Sequence, residues 1–305
     1  MSSFYPVPAL IIFIIEFIVG IMGNGLISAV ICIDWIKSRK LTSCDMILGS
    51  LGISRFLFQC LITVQVFTFQ HFVEKSNEFQ MLFALGMFLN FVCLWFATWL
   101  SVFYCVKIAT FSQLLFLWMK QRISLLVPWL LIGSLFFSLG ASVPLVFMDC
   151  TFCSSNNTLL SDPFQDRKLD FSTLFVVILY ILVPFIPFVI FMVSTSLLIT
   201  SLWRHTRRMQ REITNFRDPQ TKAHVVVIKS QISFMIFYFS YYVALMLSAI
   251  YYFHRIPKLF WMNAIMMAAY PSGHSVTLIL LNPKLKQVSA RIVSPPKCHL
   301  KEEAS

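Results

Sequence analysis

Charge is what this chain has least of. Only 12% of its 305 residues are Asp, Glu, Lys or Arg, against about a quarter in average soluble domains. With 58% hydrophobic residues, 32 Phe and a mean hydropathy of +0.78, a soluble domain of this size is excluded. The chain also lacks H-E-x-x-H, a P-loop, a dinucleotide-binding glycine loop and a metal cluster, so nothing points to an enzyme or a cofactor. Acid is scarcer than base, 13 residues against 24, for a formal net charge of +11. In a soluble chain that balance would suggest nucleic acid; here the placement of the bases argues for none.

What is present instead is a series of long apolar runs, near 7–33, 46–69, 81–106, 125–147, 172–202, 230–253 and 259–281. Each reaches or exceeds the ~20 residues a helix needs to cross a bilayer. Transmembrane barrel strands need only ~10 residues and alternate in polarity; these runs do neither. The expected fold is an all-α membrane protein, a bundle of seven transmembrane helices. No inverted repeat of two halves is apparent, which argues against a transporter.

The bases set the orientation. Of the 24 Lys and Arg, eighteen lie after the first, third and fifth runs and in the tail, five lie in the other gaps, and Arg55 lies within the second run. Cytoplasmic loops carry the excess of Lys and Arg, so the N-terminus is expected outside and the C-terminus inside. Residues 1–6 form a short extracellular N-terminus, 7–281 the membrane domain, and 282–305 a cytoplasmic amphipathic segment and tail. Residues 1–6 have no basic n-region, so the first helix is expected to act as its own signal anchor.

Polar residues inside spanning helices face protein or a wet cavity and are functional candidates. Helix one holds Glu16 and Asn24, the latter between Gly23 and Gly25, where an interhelical hydrogen bond is the expected role. Arg55 lies about ten residues into helix two and must meet acceptors; Asn24, Glu16 and polar groups of helix seven are the candidates for a structural lock. Helix three carries Asn90, helix five Pro184 and Pro187 with Tyr180 above them, and helix six a tyrosine-rich stretch, Tyr238 to Tyr242. In helix seven Tyr270-Pro271-Ser272-Gly273-His274-Ser275 is expected to break the helix. His274 and Ser275 point about 100° apart on a helix, which disfavours a catalytic pair.

Among the loops, Cys150 and Cys153 form a C-x-x-C in the longest outer segment, where a local disulfide is chemically allowed. Asn156-Asn157-Thr158 makes Asn156 a glycosylation sequon on the same side. Phe116 to Lys120, in the inner gap 108–124, is amphipathic and basic and is expected to lie along the membrane interface.

These features together resemble the bitter-taste receptors, or type 2 taste receptors, seven-helix receptors coupled to G proteins. The resemblance rests on Leu51–Arg55, on Phe96–Tyr104 with Lys107-Ile108-Ala109, and on Phe116-Leu117-Trp118. It rests further on Pro187 with His205 eighteen residues on, on Arg217-Asp218-Pro219 to His224, and on Tyr270–Gln287. The D-R-Y and N-P-x-x-Y patterns of rhodopsin-like receptors are missing, as in that family.

The resemblance implies a plasma-membrane receptor, spanning the bilayer several times, for small, mostly apolar bitter agonists, acting on a gustducin-type heterotrimeric G protein. It implies a pocket in the outer half of the bundle with Asn90 as polar anchor and Met87, Tyr180, Tyr241, Leu245 and Met267 lining it. Asn24 and Arg55, with His274 and Ser275, belong to the implied core polar network. Tyr104, Lys107, His205 and His224 fall where the family meets its G protein. Many members carry a tryptophan where this chain has Gly86, so the pocket is expected to be wider on that side. A vomeronasal-type receptor would share the fold but not these motifs, and a transporter or channel would need a polar path that Glu16 and Arg55 alone do not make.

Overall fold

Eight α-helices and one short 3₁₀ turn make up the described part of the chain, with no strand among the described residues. They are α1 (Val7–Ser38), α2 (Ser43–His71), α3 (Asn77–Ile108), α4 (Leu114–Ser142), α5 (Phe171–Glu212), α6 (Pro219–His254), α7 (Pro257–Leu281) and α8 (Pro283–Val293), with the 3₁₀ turn Val143–Leu145 closing α4. The computed structural model describes residues 7–71, 77–109, 114–146, 171–212, 219–254 and 257–293. Cys150, Cys153 and Asn156 lie outside the described residues, as do the side chains of His205 and His224, on α5 and α6. The spans α1 to α7 each hold 22 to 32 residues of membrane-compatible hydropathy, more than the ~20 that a crossing requires.

Local chemistry sets several boundaries. Arg39 takes a left-handed φ of 53° and its N–H bonds the Trp35 carbonyl at 2.8 Å, which closes α1. Thr42 then accepts the Asp45 N–H at 3.1 Å and starts α2. Asn282 accepts the N–H groups of Lys284 and Leu285 at 3.0 and 3.4 Å, with Pro283 at the first helical position. That cap turns the chain out of α7 into the amphipathic α8, where Leu285 is buried and Lys284 and Lys286 are exposed.

The helices surround α3, which packs against α2, α4 and α5. Contacts continue from α5 to α6, from α6 to α7, and from α7 to α1, which closes on α2. α8 returns beneath α7 and α1, where Lys284 pairs with Asp34. Polarity is arranged inside out. On α1 the residues Ile11, Ile15, Ile18 and Met22 are exposed, whereas Asn24 is buried completely. Close approach of α1 to α7 depends on Gly23, because a Cβ there would lie 2.5 Å from the Ser275 Oγ.

One expectation about helix extent is corrected, at Pro271. The stretch Phe116–Lys120, expected at the membrane interface, forms the first turns of α4, which begins at Leu114. Lys120 and Arg122 end the apolar run but not the helix, because backbone hydrogen bonding continues past the apolar stretch. Likewise α7 runs unbroken through Pro271. Side-chain donors back up the carbonyls on either side of the proline: the Ser272 Oγ bonds the Ala268 carbonyl at 2.8 Å and the Thr277 Oγ1 bonds that of Gly273 at 3.0 Å.

Candidate functional site

The only charged side chain buried completely among the described residues is Arg55. Its Nη1 lies 2.6 Å from the His274 Nδ1, and its Nη2 donates to the Tyr270 hydroxyl at 3.1 Å. The guanidinium also sits over the Tyr270 ring, 4.9 Å from its centroid, and within 5.7 Å of Phe234. Of the partners the sequence offered, α7 is the one that Arg55 meets. The expected lock therefore joins α2 to α7, and His274 is spent on it.

A second seam lies beside this one, between α1, α2 and α7. Asn24 donates to the Gly20 carbonyl at 2.9 Å and to the Pro271 carbonyl at 3.4 Å, the interhelical bond expected of it. Gln59 is fully buried and donates to the Ser272 Oγ and to the Glu16 carbonyl at 3.2 and 3.3 Å. The Ser272 Oγ donates to that same Glu16 carbonyl at 2.8 Å. Ser275 bonds the Ser272 carbonyl at 2.8 Å rather than the His274 ring, so the two adjacent residues serve different partners. Gln59 and Ser272 were missed as network members. The available signal was an amide four residues after Arg55, on the same face of an apolar helix.

In the half of the bundle nearer the α3 N-terminus, Asn90 donates to the Tyr241 hydroxyl and joins α3 to α6. Its Oδ1 is buried with no hydrogen-bond partner among the described residues. The other expected pocket residues gather here. Tyr241 and Leu245 are buried in the main core cluster, with Tyr180 and Met267 packed against it. Met87 belongs to an adjoining cluster that Tyr180 also touches. The rings of Tyr241 and Tyr270 are 5.4 Å apart, so this region meets the Arg55 lock directly.

Gly86 does not widen the region. A Cβ there would run into the Gln65 side chain, which reaches across from α2 to bond the Leu82 carbonyl at 2.7 Å. The room left by a missing side chain is taken up by a neighbouring helix, which corrects the expectation of a wider pocket.

Towards the other end of the bundle a polar chain links α3, α5 and α6. The Ser101 Oγ lies 2.9 Å from both the Ser194 Oγ and the Thr195 Oγ1, and Thr195 donates to the Gln231 Oε1 at 3.2 Å. These four residues are buried. Nearby, the Tyr104 hydroxyl meets the Cys44 thiol at 3.7 Å, and the Lys107 ammonium reaches the Lys120 carbonyl at 3.4 Å. Both side chains of this pair from α3 thus pack against neighbouring helices.

Comparison with known proteins gives these features a family. The model of the taste receptor protein (TAS2R) family matches residues 1–297. Taste receptor type 2 member 2 of Homo sapiens is 38% identical over 295 residues, covering 95% of this chain and 97% of that protein. The chain belongs to the taste receptor type 2 family. Member 40 of Gallus gallus is 36% identical over 299 residues, 96% of each chain, and member 7 of Pongo pygmaeus is 37% identical over 287 residues, 91% of this chain and 90% of that one. The protein is therefore a bitter-taste receptor, a multi-pass protein of the plasma membrane and not an enzyme. As a taste receptor it binds ligands and couples to a G protein. A movement that parts α5 from α6 has to break the Thr195–Gln231 bond. One neutral hydrogen bond contributes about 0.5–1.5 kcal/mol net, so Gln231→Leu should raise agonist-independent signalling of the receptor by about two- to tenfold. Basal second-messenger output per surface receptor measures this; an unchanged baseline would show that the bond does not hold the two helices together.

Proposed function

We propose that the taste receptor binds small, mostly apolar bitter agonists between α3, α5, α6 and α7, anchored on Asn90, and that it signals through a gustducin-type G protein. The observation that carries this reading is the Asn90 amide. Its Nδ2 is committed to Tyr241, while its Oδ1 is buried among apolar and aromatic side chains without a partner. An unsatisfied buried acceptor costs about 1–3 kcal/mol, so an agonist bringing one hydrogen-bond donor to this point relieves that cost. Apolar pockets with few polar anchors suit varied small ligands. Met87, Tyr180, Leu245 and Met267 would supply the apolar contacts.

Agonist binding that favours one arrangement of Tyr241 shifts the population towards it. Because Tyr241 lies against Tyr270, and Tyr270 bonds Arg55, a displaced Tyr241 would bias α6 relative to α7. The N-terminus would lie outside and the inner ends of α3, α5 and α6 would accept the G protein, with Tyr104, Lys107, His205 and His224 near the contact. Asn156 would carry glycan on the outer side.

The test is calcium release in cells that express the chain with a gustducin-type chimeric G protein, screened against a panel of bitter compounds. A dose-dependent response that vanishes without the G protein is expected. Silence at verified surface expression would argue against both the proposed agonist class and the coupling partner.

A further inference from the structure

Three contacts draw the ends of α2, α3 and α4 together. Ser43 Oγ donates to the Ser124 carbonyl at 3.2 Å, Cys44 meets Tyr104, and Lys107 reaches the Lys120 carbonyl. Ser43 follows Lys40 by three residues, and Ser124 sits one turn beyond Lys120 and two residues beyond Arg122. The contacts therefore collect Lys40, Lys107, Lys120 and Arg122 on one rim. None of these cations has a carboxylate partner among the described residues. The carboxylate on the same rim, Asp45, accepts the Thr42 hydroxyl at 2.6 Å. Arg122 lies over Trp118, 5.7 Å from the ring, one turn away on the same helix face. Trp118 and Leu117 are about half exposed, at 49% and 48%. Tryptophan beside an apolar belt marks the headgroup level of a bilayer.

From this juxtaposition we infer that the rim formed by Lys40, Lys107, Lys120 and Arg122 binds the phosphorylated headgroup of an anionic phospholipid. The inference rests on the orientation proposed above, which puts this rim in the cytoplasmic leaflet, where anionic lipids collect. Arg122, beside the Trp118 ring, offers a planar fork that matches a phosphate. The lysines supply charge around it, and the exposed Leu117 and Trp118 lie against the acyl chains. A lipid held here would fix the end of α3 against α2 and α4, next to the region that receives the G protein.

The test uses the full-length receptor in nanodiscs of phosphatidylcholine containing phosphatidylinositol bisphosphate. Retained lipid is measured by native mass spectrometry. Each basic side chain near the headgroups contributes about a fivefold factor in binding, so K120Q/R122Q should lower retention by about 25-fold. R122K should recover only part of it, since charge returns without the fork. Arg122 is exposed and the half-buried Lys120 has no carboxylate partner among the described residues, so the thermal midpoint of K120Q/R122Q in pure phosphatidylcholine should not move, which separates loss of lipid from loss of fold. K286Q on α8, an exposed lysine away from the Lys284–Asp34 pair, serves as a charge control and should leave retention unchanged. Undiminished retention in K120Q/R122Q would overturn the inference, as would an equal loss in the α8 control. Equal retention of phosphatidylserine, which has a phosphodiester but no phosphomonoester, and the bisphosphate lipid would likewise overturn a site for a phosphorylated headgroup. Labelled headgroup detected only in the outer leaflet of sealed vesicles holding outside-out receptor would overturn the orientation while leaving the site itself standing.

Discussion

Arg55→Ala is expected to remove the receptor from the cell surface. The guanidinium makes two bonds across helices, to His274 and to Tyr270, and is fully buried. Bonds to a charged donor contribute about 1.5–3 kcal/mol each, so losing both costs about 3–6 kcal/mol. That is a large part of the 5–15 kcal/mol by which an average domain is stable. Truncation also strands the His274 ring and the Tyr270 hydroxyl in an apolar interior. Arg55→Lys should fall between, because one ammonium cannot serve both partners and lie flat on the Tyr270 ring. Surface labelling of an N-terminally tagged receptor measures the effect. Near-normal surface levels of the alanine variant would mean that the α2–α7 lock does not hold the fold.

The second large effect is expected at the α3–α6 bond. Asn90→Ala removes both the donor to Tyr241 and the unpartnered Oδ1, and should lower agonist potency by about 5- to 150-fold if that oxygen receives a ligand donor worth 1–3 kcal/mol. Surface expression should hold, because the lock at Arg55 is untouched. Tyr241→Phe keeps the ring and removes only the hydroxyl, so a smaller loss is expected. Residues that share one bond are not additive; the double variant should lose less than the product of the two single losses. Equal potency of the Asn90→Ala receptor would take Asn90 out of the pocket. Potency that falls in the alanine variant alone would tie recognition to the Oδ1 and not to the bond with Tyr241.

The architecture was readable from the sequence because spanning helices are long and nearly uncharged, a signal that few other folds imitate. Helix ends were less readable. Apolar runs mark where lipid stops, whereas helices stop where capping groups such as Thr42 and Asn282 end or begin the backbone ladder. Thus α4 starts at Leu114, ahead of the basic residues that end its apolar run. Depth was also readable: the positions of Asn24, Arg55 and Asn90 within their helices marked them as functional candidates, the first two for a core network and Asn90 for a pocket. Lateral neighbours were not, since depth does not say which helix lies alongside. Arg55 therefore had three candidate partners in sequence and has α7 in the fold. Gly86 shows the same limit, because the missing side chain is visible in the sequence and Gln65, which covers the spot, belongs to another helix. Family membership was carried by motifs spread over nearly all the chain, and the match over residues 1–297 bears it out.

The unusual length of α5 has a mechanical consequence. Its 42 residues, at 1.5 Å per residue, make a rod of about 63 Å, roughly twice the ~30 Å thickness of the hydrocarbon layer. Pro184 and Pro187 lie near its upper third, where missing backbone hydrogen bonds make bending easiest. From Pro187 to the far end is ~38 Å of helix, so a bend of only about 5° sweeps that end by about 3 Å. The prolines thus act as the pivot of a lever, and a displacement too small to disturb the packing beside Tyr180 is geared up at the end of the arm.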